Sequence, residues 1–469
     1  SPTISNSRIS NCSDDGIYLH YSDALVSNNY IRDISSEGIK LNQSQGTITG
    51  NTLNSINSSS IYLDDSDSTL ISNNTISNNG YYGVCLYSSN DNVDILNNTI
   101  SNNDSYGIYL QSSSNNVDIS NNTIFGHASR GIYFSANNYG DIIGNLIYNN
   151  SAYGIYLYNV RYGDCEVRNN TIDGHTQYGL YWYSYSSSQY TLDATNNSIT
   201  NNVTGIYCEN GYNYNIVAYN NCWNNSSINY DGDLPTGTGN LTDINSNGIV
   251  SDIYYNISEY PQYTDQANGD FTLQEGSPNI DAGDPNEQDS DGSISDIGYM
   301  FFYQAIPSIN FSPQTIYLNR VLIGVDTTVT LDVYNSGDST LTWSVSPDSD
   351  WVSISPSSGT ITPGDTASLT VVLSTSTLPA DTYTPSLIFT SNDPDSPTYN
   401  YTITIRILNS WRVSFSATAG GVTDENNILG FDEDATDGLD SDWDEPEPPP
   451  EPVNYLQVGF LNPGWSNDI

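Results

Sequence analysis

The sequence predicts an all-β chain: a right-handed single-stranded parallel β-helix with three short strands per coil and about nine to ten coils, then an immunoglobulin-like sandwich and a C-terminal extension. Three observations predict this. A tetrapeptide returns every 22 to 26 residues, an asparagine returns with it, and after residue 300 the text changes to longer alternating strands.

The tetrapeptide is GIYL at Gly16, GIKL at Gly38, SIYL at Ser60, GVCL at Gly83, GIYL at Gly107, GIYF at Gly131, GIYL at Gly154, GLYW at Gly179 and GIYC at Gly205. Its Ile and Leu fall on one face and its Tyr on the other, which is the period of a strand. The second marker is an Asn two residues before an apolar residue: Asn29, Asn51, Asn74, Asn98, Asn122, Asn145, Asn170, Asn197 and Asn221. A third apolar element precedes it, as in Val93-Asp94-Ile95 and Val117-Asp118-Ile119. Strands of three or four residues cannot stand alone, so successive periods must stack about 4.8 Å apart around a column of Ile, Leu and Val, in a rod roughly 45 Å long. The ladder Asn is expected at a turn, tolerating unusual backbone angles and bonding the Asn of neighbouring coils.

Repeats such as "SNNTISNNGYYGVCLYSSN" and "SNNTIFGHASRGIYFSAN" resemble the right-handed parallel β-helix repeat family of secreted and surface proteins, over about residues 1–300. That family includes pectate lyases, polygalacturonases, alginate epimerases and phage tailspikes, so the resemblance implies a fold and leaves function open. "GDFTLQEGSPNIDAGDP", Gly269 to Pro285, is similar to the closing segment of many secreted β-helix proteins.

Two stretches within 233–300 share one pattern: Asp243, Asn245, Asn247, Gly248 and Asp252, then Glu287, Asp289, Asp291, Gly292 and Asp296. Oxygen donors at the first, third and fifth positions, a glycine at the sixth and a late carboxylate suit a structural Ca2+ loop, although both stretches lack the bidentate Glu of an EF-hand. The other reading is a plain Asp/Asn/Gly turn capping the solenoid.

Residues 308–408, with "TTVTLDVYN", "ASLTVVLST" and "YNYTITIRI" between turn signals, read as an Ig-like β-sandwich of roughly seven strands without a disulfide. They resemble bacterial Ig-like modules, with Trp343 and Trp351 read as core residues in preference to ligand platforms. Residues 409–443 resemble the opening of a C-terminal β-module of secreted bacterial proteins. A Pro/Glu-rich polyproline II linker follows at 444–453 and a terminal strand segment at 454–469.

Composition narrows function further. With 54 acidic and 9 basic residues and a formal net charge of -45, the chain repels nucleic acid and anionic lipid and attracts cations. No apolar run approaches the roughly 20 residues of a membrane span. The start, Ser1-Pro2-Thr3, looks processed or trimmed, and an extracellular or cell-surface location is expected. Of Cys12, Cys85, Cys165, Cys208 and Cys222, only Cys208 and Cys222 suggest a pair by proximity; otherwise all five are small core residues.

The enzymes of the family require a basic proton abstractor beside calcium, or clustered carboxylates with His and Arg or Lys, or an Asp-Pro-His-Asp stretch. Here Arg8, Arg32, Lys40, Arg130, Arg161 and Arg168 scatter over the period, and His20, His127 and His175 read as surface turn residues. The acid pairs around Asp64, Asp65 and Asp67 follow from abundance. No catalytic residue is expected.

Two outward columns stand out. Asp94, Asp118, Asp141, Glu166 and Asp193 form a carboxylate ladder, read as a solvated face or a cation site. Tyr18, Tyr62, Tyr109, Tyr133, Tyr156, Tyr181 and Tyr207 form an aromatic stripe, read as self-stabilising, as an assembly surface with other copies of the chain, or as a glycan platform. About seventeen Asn-x-Ser/Thr sequons occur. The candidate acceptors are Asn73, Asn97, Asn103, Asn121, Asn169, Asn196, Asn256, Asn310 and Asn400.

The expected function is a non-catalytic extracellular structural or adhesive protein, self-assembling into a filament through solenoid ends and a donated C-terminal strand. The alternatives are a carbohydrate-binding protein using the Tyr stripe and a polysaccharide lyase or hydrolase.

Overall fold

The computed structural model describes residues 2–409 except 112, 136–138, 160–164, 184–191 and 210–214, together with the backbone of 418–419 and 422–423. It divides into two compact units, Ser1–Gln304 and Ala305–Ile469.

The first unit is a solenoid of three parallel sheets, each of ten strands. The first sheet runs from Thr3–Ser5 to Ile216–Ala218, the second from Arg8–Ser10 to Asn221–Trp223, and the third from Ile17–His20 to Ile228–Gly232. Each strand pairs in register with its equivalent in the next coil, as Ile76 with Ile100 and Ile100 with Ile124. The inward positions form continuous apolar columns: Ile76, Ile100, Ile124, Ile147, Ile172 and Ile199 are fully buried in the second sheet. Burial of one such side chain contributes about 1.5–3 kcal/mol, so the repeat supplies in layers what a short strand lacks.

Turn chemistry fixes the coil. At the first turn the residue before the ladder Asn is left-handed: Asn28, Asn73, Asn97, Asn121, Asn169 and Asn196 have φ of 52–57°, and Gly50 and Gly144 take the same place at 66°. The unusual angle expected at the ladder Asn therefore belongs to its predecessor. The ladder residue turns inward. The Asn98 backbone N–H and Nδ2 both donate to Asn122 Oδ1, at 2.9 and 3.0 Å, and Nδ2 also reaches the Ile71 carbonyl at 2.9 Å. The same pattern repeats from Asn29 to Asn197 and then passes to Asn220 and Asn256. Asn220, not Asn221, holds the last coil's place: Tyr219 is the left-handed residue there, and Asn221 lies in the strand opposite Ser198.

A second ladder, not foreseen, closes the turn between the second and third sheets. It runs Asn79, Asn103, His127, Asn150, His175, Asn202, Asn225. His127 and His175 are 0% and 2% exposed, which overturns the surface reading. Each occupies an Asn position and accepts the backbone N–H of the preceding coil on Nδ1 at 3.1 Å. Ser44, Ser66, Asn90 and Ser114 link the third turn in the same way.

Residues 233–304 do not simply cap the solenoid. Ile257 continues the second sheet beside Asn221, after which the chain folds back along the flank of the later coils. Tyr263 bonds Ser198, Gln266 bonds Asp173, and Phe271 packs on Leu146 and Tyr148. All five cysteines are free, and Cys85, Cys165, Cys208 and Cys222 are buried, so Cys208 and Cys222 are core thiols and not a disulfide.

The second unit is a sandwich. One sheet orders Ile309–Ser312, Thr327–Asn335, Thr366–Leu373 and Val352–Ser355; the other orders Ile316–Leu322, Thr398–Leu408, Ser386–Ser391, Leu341–Pro347 and Ser358–Ile361. Trp343 is 2% exposed and Trp351 packs partly buried against the same core. Beyond Asn409 only the pair Thr418–Ala419 and Val422–Thr423 is described. The expected linker at 444–453 and strand at 454–469 lie outside the described residues.

Candidate functional site

The outer face of the third sheet carries the densest side-chain array. The GIYL strands stand Tyr109, Tyr133, Tyr156, Tyr181 and Tyr207 in register. Successive centroids lie 5.1, 5.0, 4.8 and 5.2 Å apart. A second column, not foreseen, comes from the residue before five successive repeat glycines, Gly83 to Gly179: Tyr82, Tyr106, Arg130, Tyr153 and Tyr178. Tyr82 and Tyr106 stack at 15°, and Tyr153 and Tyr178 at 8°. The Arg130 guanidinium takes the missing ring's place. It lies 5.1 Å from Tyr106 and Tyr153, 4.6 Å from Tyr133 and 4.7 Å from Tyr156, and donates to the Tyr106 hydroxyl at 2.8 Å.

These rings spend their faces on one another. A sugar binds an aromatic side chain chiefly through the ring face, and stacking between coils occupies faces that a sugar would need. Burial raises the Tyr133 and Tyr156 phenols to about 12, with the Arg130 guanidinium opposing the shift and neighbouring tyrosines adding to it, so they stay protonated over the physiological range. At the ends the stripe thins: Lys40 sits over Tyr18 and Tyr62, and Cys85 occupies the position between Tyr62 and Tyr109.

The carboxylate ladder is in register, Asp94 beside Asp118, Asp118 beside Asp141 and Glu166 beside Asp193. Burial, reinforced by the neighbouring Asp118, raises the Asp94 carboxyl. Arg168 offsets the later rungs, pairing with Glu166 at 2.6 Å and with Glu287 of the closing segment.

In both loops read as calcium sites, most of the side-chain oxygens are engaged in hydrogen bonds or ion pairs within the chain. Asp243 is exposed, Asn245 Oδ1 accepts the Asn247 and Ile249 N–H groups, and the Asn247 amide donates to the Ile280 and Asp281 carbonyls. Asp252 accepts from Gly239, Tyr254 and Asn256. In the second loop Glu287 pairs with Arg168, Asp289 accepts the Asp296 N–H, Asp291 accepts those of Ser293 and Gln304, and Asp296 accepts those of Asp281 and Phe302. Among the described residues no group of three or more His, Cys, Asp or Glu is arranged to hold a metal ion. Burial still raises Asp289 to about 6 and Asp296 to about 7.

The sequons sort by depth. Asn73, Asn97, Asn121 and Asn400 are exposed, Asn169 and Asn310 partly so, and Asn103, Asn196 and Asn256 are buried. Asn103 is a rung of the second ladder, Asn256 ends the first, and Asn196 lies under the closing segment, bonded to Glu287 and Asp284. None of these three can carry a glycan in this fold.

The remaining polar candidates do not converge. Asp64 accepts from Asn42 and Ser88, Asp65 from Ser88, and Asp67 from the Asp91 N–H. Arg8 lies over Tyr30, Arg32 pairs with Asp33, His20 is exposed against Tyr21, and Arg161 is outside the described residues.

Residues 37–195 match the family model for a right handed beta helix region, and residues 307–406 match that for a HYDIN/CFA65/VesB-like, Ig-like domain. Among solved structures, a protein of unknown function from Porphyromonas gingivalis W83 is 17% identical over 22% of this chain and 49% of its own, with a TM-score of 0.21. The chain thus spans about half of that protein's length. The ASH / PapD-like domain of human CEP192 is 12% identical over 25% of this chain and 98% of that domain, with a TM-score of 0.21. The E. coli chaperone DraB is 11% identical over 26% and 80%, with a TM-score of 0.19. No curated protein matches the chain. The chain carries a right-handed β-helix region followed by a HYDIN/VesB-like Ig-like domain, folds compatible with a surface or structural protein.

Proposed function

We propose that this chain is a non-catalytic extracellular structural or adhesive protein, with the solenoid as its stiff spacer. One observation supports this above the others. Side chains at repeating positions, inward and outward, are engaged by their own equivalents one coil away, as Asn98 with Asn122 and Tyr133 with Tyr156. A repeat used in this way favours extension. Assembly with further copies belongs to the same reading, through the solenoid ends and a donated C-terminal strand.

The test is to incubate the full chain with a panel of polyuronates and neutral polysaccharides, print it on a glycan array, and label the source cells with an antibody to it. Surface labelling without product release supports the proposal. Product release would replace it with an enzyme. Glycan binding abolished by Tyr109→Ala and Tyr156→Ala would replace it with the carbohydrate-binding alternative.

A further inference from the structure

Among the described residues, twelve tyrosine rings form one connected network on the third sheet: Tyr81, Tyr82, Tyr106, Tyr109, Tyr133, Tyr153, Tyr156, Tyr158, Tyr178, Tyr181, Tyr183 and Tyr207. Every ring in it is a tyrosine, in a chain with 38 Tyr and 10 Phe. Phenylalanine would stack equally well, as Phe125 does on Tyr148 in the second sheet. What tyrosine adds is an oxidisable phenol.

Strand register holds these phenols in reaction range. Tyr133 and Tyr156 have centroids 5.0 Å apart and planes tilted by 43°, and Tyr156 and Tyr181 stand at 4.8 Å and 34°. The tilt matters, because coupling joins ring edges and a parallel stack presents faces. The rings are half-buried, so part of each stays within reach of a small oxidant.

We propose that this column is a site of oxidative cross-linking, in which a peroxide-dependent one-electron oxidant joins tyrosines of adjacent coils into dityrosine staples along the rod. Each of two phenols gives up one electron and its hydroxyl proton. The two radicals form a carbon–carbon bond between positions ortho to the oxygens, and the two displaced ring hydrogens move to the oxygens and restore both phenols. One hydrogen peroxide is reduced to two waters. Because the partners are already adjacent, coupling within one chain outruns coupling between chains.

The geometry also sets the limits of the staple. Cys85 interrupts the GIYL-strand column between Tyr62 and Tyr109, and Arg130 interrupts the second column between Tyr106 and Tyr153. The links are therefore expected among Tyr109, Tyr133, Tyr156, Tyr181 and Tyr207.

The experiment treats the full chain with a peroxidase and limiting hydrogen peroxide, then maps cross-linked peptides by mass spectrometry. The expected result is a monomer that has lost two hydrogen atoms per link, with Tyr133–Tyr156 and Tyr156–Tyr181 as leading pairs. The yield should be several-fold lower in denaturant. Tyr156→Phe keeps the ring and the fold but removes the shared node, and should abolish both leading links; circular dichroism checks that it folds. Links of equal yield in denaturant, links found chiefly between molecules, or an unchanged yield in folded Tyr156→Phe would each overturn the proposal. None of these outcomes depends on whether the chain proves structural, adhesive or catalytic.

Discussion

The first-turn ladder runs from Asn29 to Asn256 with an amide at every step, whereas the second-turn ladder, Asn79 to Asn225, has an imidazole at two of its seven steps. An amide gives its neighbour one strong acceptor and carries two donors of its own, so each Asn makes two links to the next coil and one to a strand carbonyl. An imidazole gives a single acceptor. The amide above it then loses a partner: Asn103 Nδ2 is buried without one, and Asn150 Nδ2 has only a 3.5 Å contact with the Ile124 carbonyl. The first ladder is built for strength at any pH, while the second depends on two rings staying neutral.

Acid should expose that difference most strongly. Because Nδ1 accepts an N–H, the proton sits on Nε2, which donates to the Ile100 or Ile147 carbonyl at 3.2 or 3.3 Å. Burial lowers His127 and His175 from 6.5 to about 4. The unfolded chain therefore binds more protons between those values. Stability is full above about pH 6.5 and is lost as pH falls toward 4, at up to roughly 3 kcal/mol per histidine. The double variant His127→Asn, His175→Asn should flatten that slope in thermal melts taken from pH 7 to 4. Asp289 and Asp296 act in the opposite sense, since their raised carboxyls favour the folded state as pH falls below about 7. Hydrogen exchange should therefore show the coils around His127 and His175 loosening in acid while the 281–304 segment tightens. A slope unchanged in the double variant would end the account of the second ladder.

Removing one rung compares the ladders directly. Asn122→Ala leaves the Asn98 N–H and Nδ2 without their acceptor and empties the site of an amide bonded to the Ile95 carbonyl at 2.7 Å. At about 1–3 kcal/mol for each buried donor left unmade, the expected loss is about 3–5 kcal/mol. Asn150→Ala removes one acceptor, that of the His127 N–H, and a long contact, so about half that loss is expected. Thermal denaturation at pH 7.5, where both histidines are neutral, checks the ratio. Equal losses would mean that layer packing, not ladder bonding, sets the cost.

Most of the first ladder was legible, because Asn98 and its equivalents recur in one phase with an apolar residue two places on. The second is written as plainly. "NNTISNN" carries the same Asn-Asn pair at both ends of the strand, and "NNTIFGH" and "NNTIDGH" put Gly-His where the second pair stands. Gly126 and Gly174 take the left-handed position at 70° and 73°, and histidine takes the rung. A histidine beside a turn glycine looks like a surface residue until its phase in the repeat is counted. Other features had no local signal. That Asn196 lies under the closing segment, or that Arg130 fills a gap in a stack of tyrosines, depends on which residues the coil brings together and not on sequence neighbours.

The smallest expected effect lies in what the two ladders share. Both are preceded by a left-handed residue, Asn97 at 57° and Asn102 at 51° in one coil. That angle costs an ordinary side chain about 1–2 kcal/mol and glycine nothing, whatever group stands on the next rung. Asn97→Ala and Asn102→Ala should therefore lose about the same, near 1 kcal/mol, while Asn97→Gly should fall within a few tenths of the parent. Gly174→Ala should lose more than either, because its methyl would stand 2.5 Å from Asn149 Oδ1 as well as adopting the strained angle. Melting temperatures of the four variants decide the point. If Asn102→Ala cost clearly more than Asn97→Ala, the histidine at the next coil's rung would be straining the backbone beside it, and the two turns would differ in geometry as well as in chemistry.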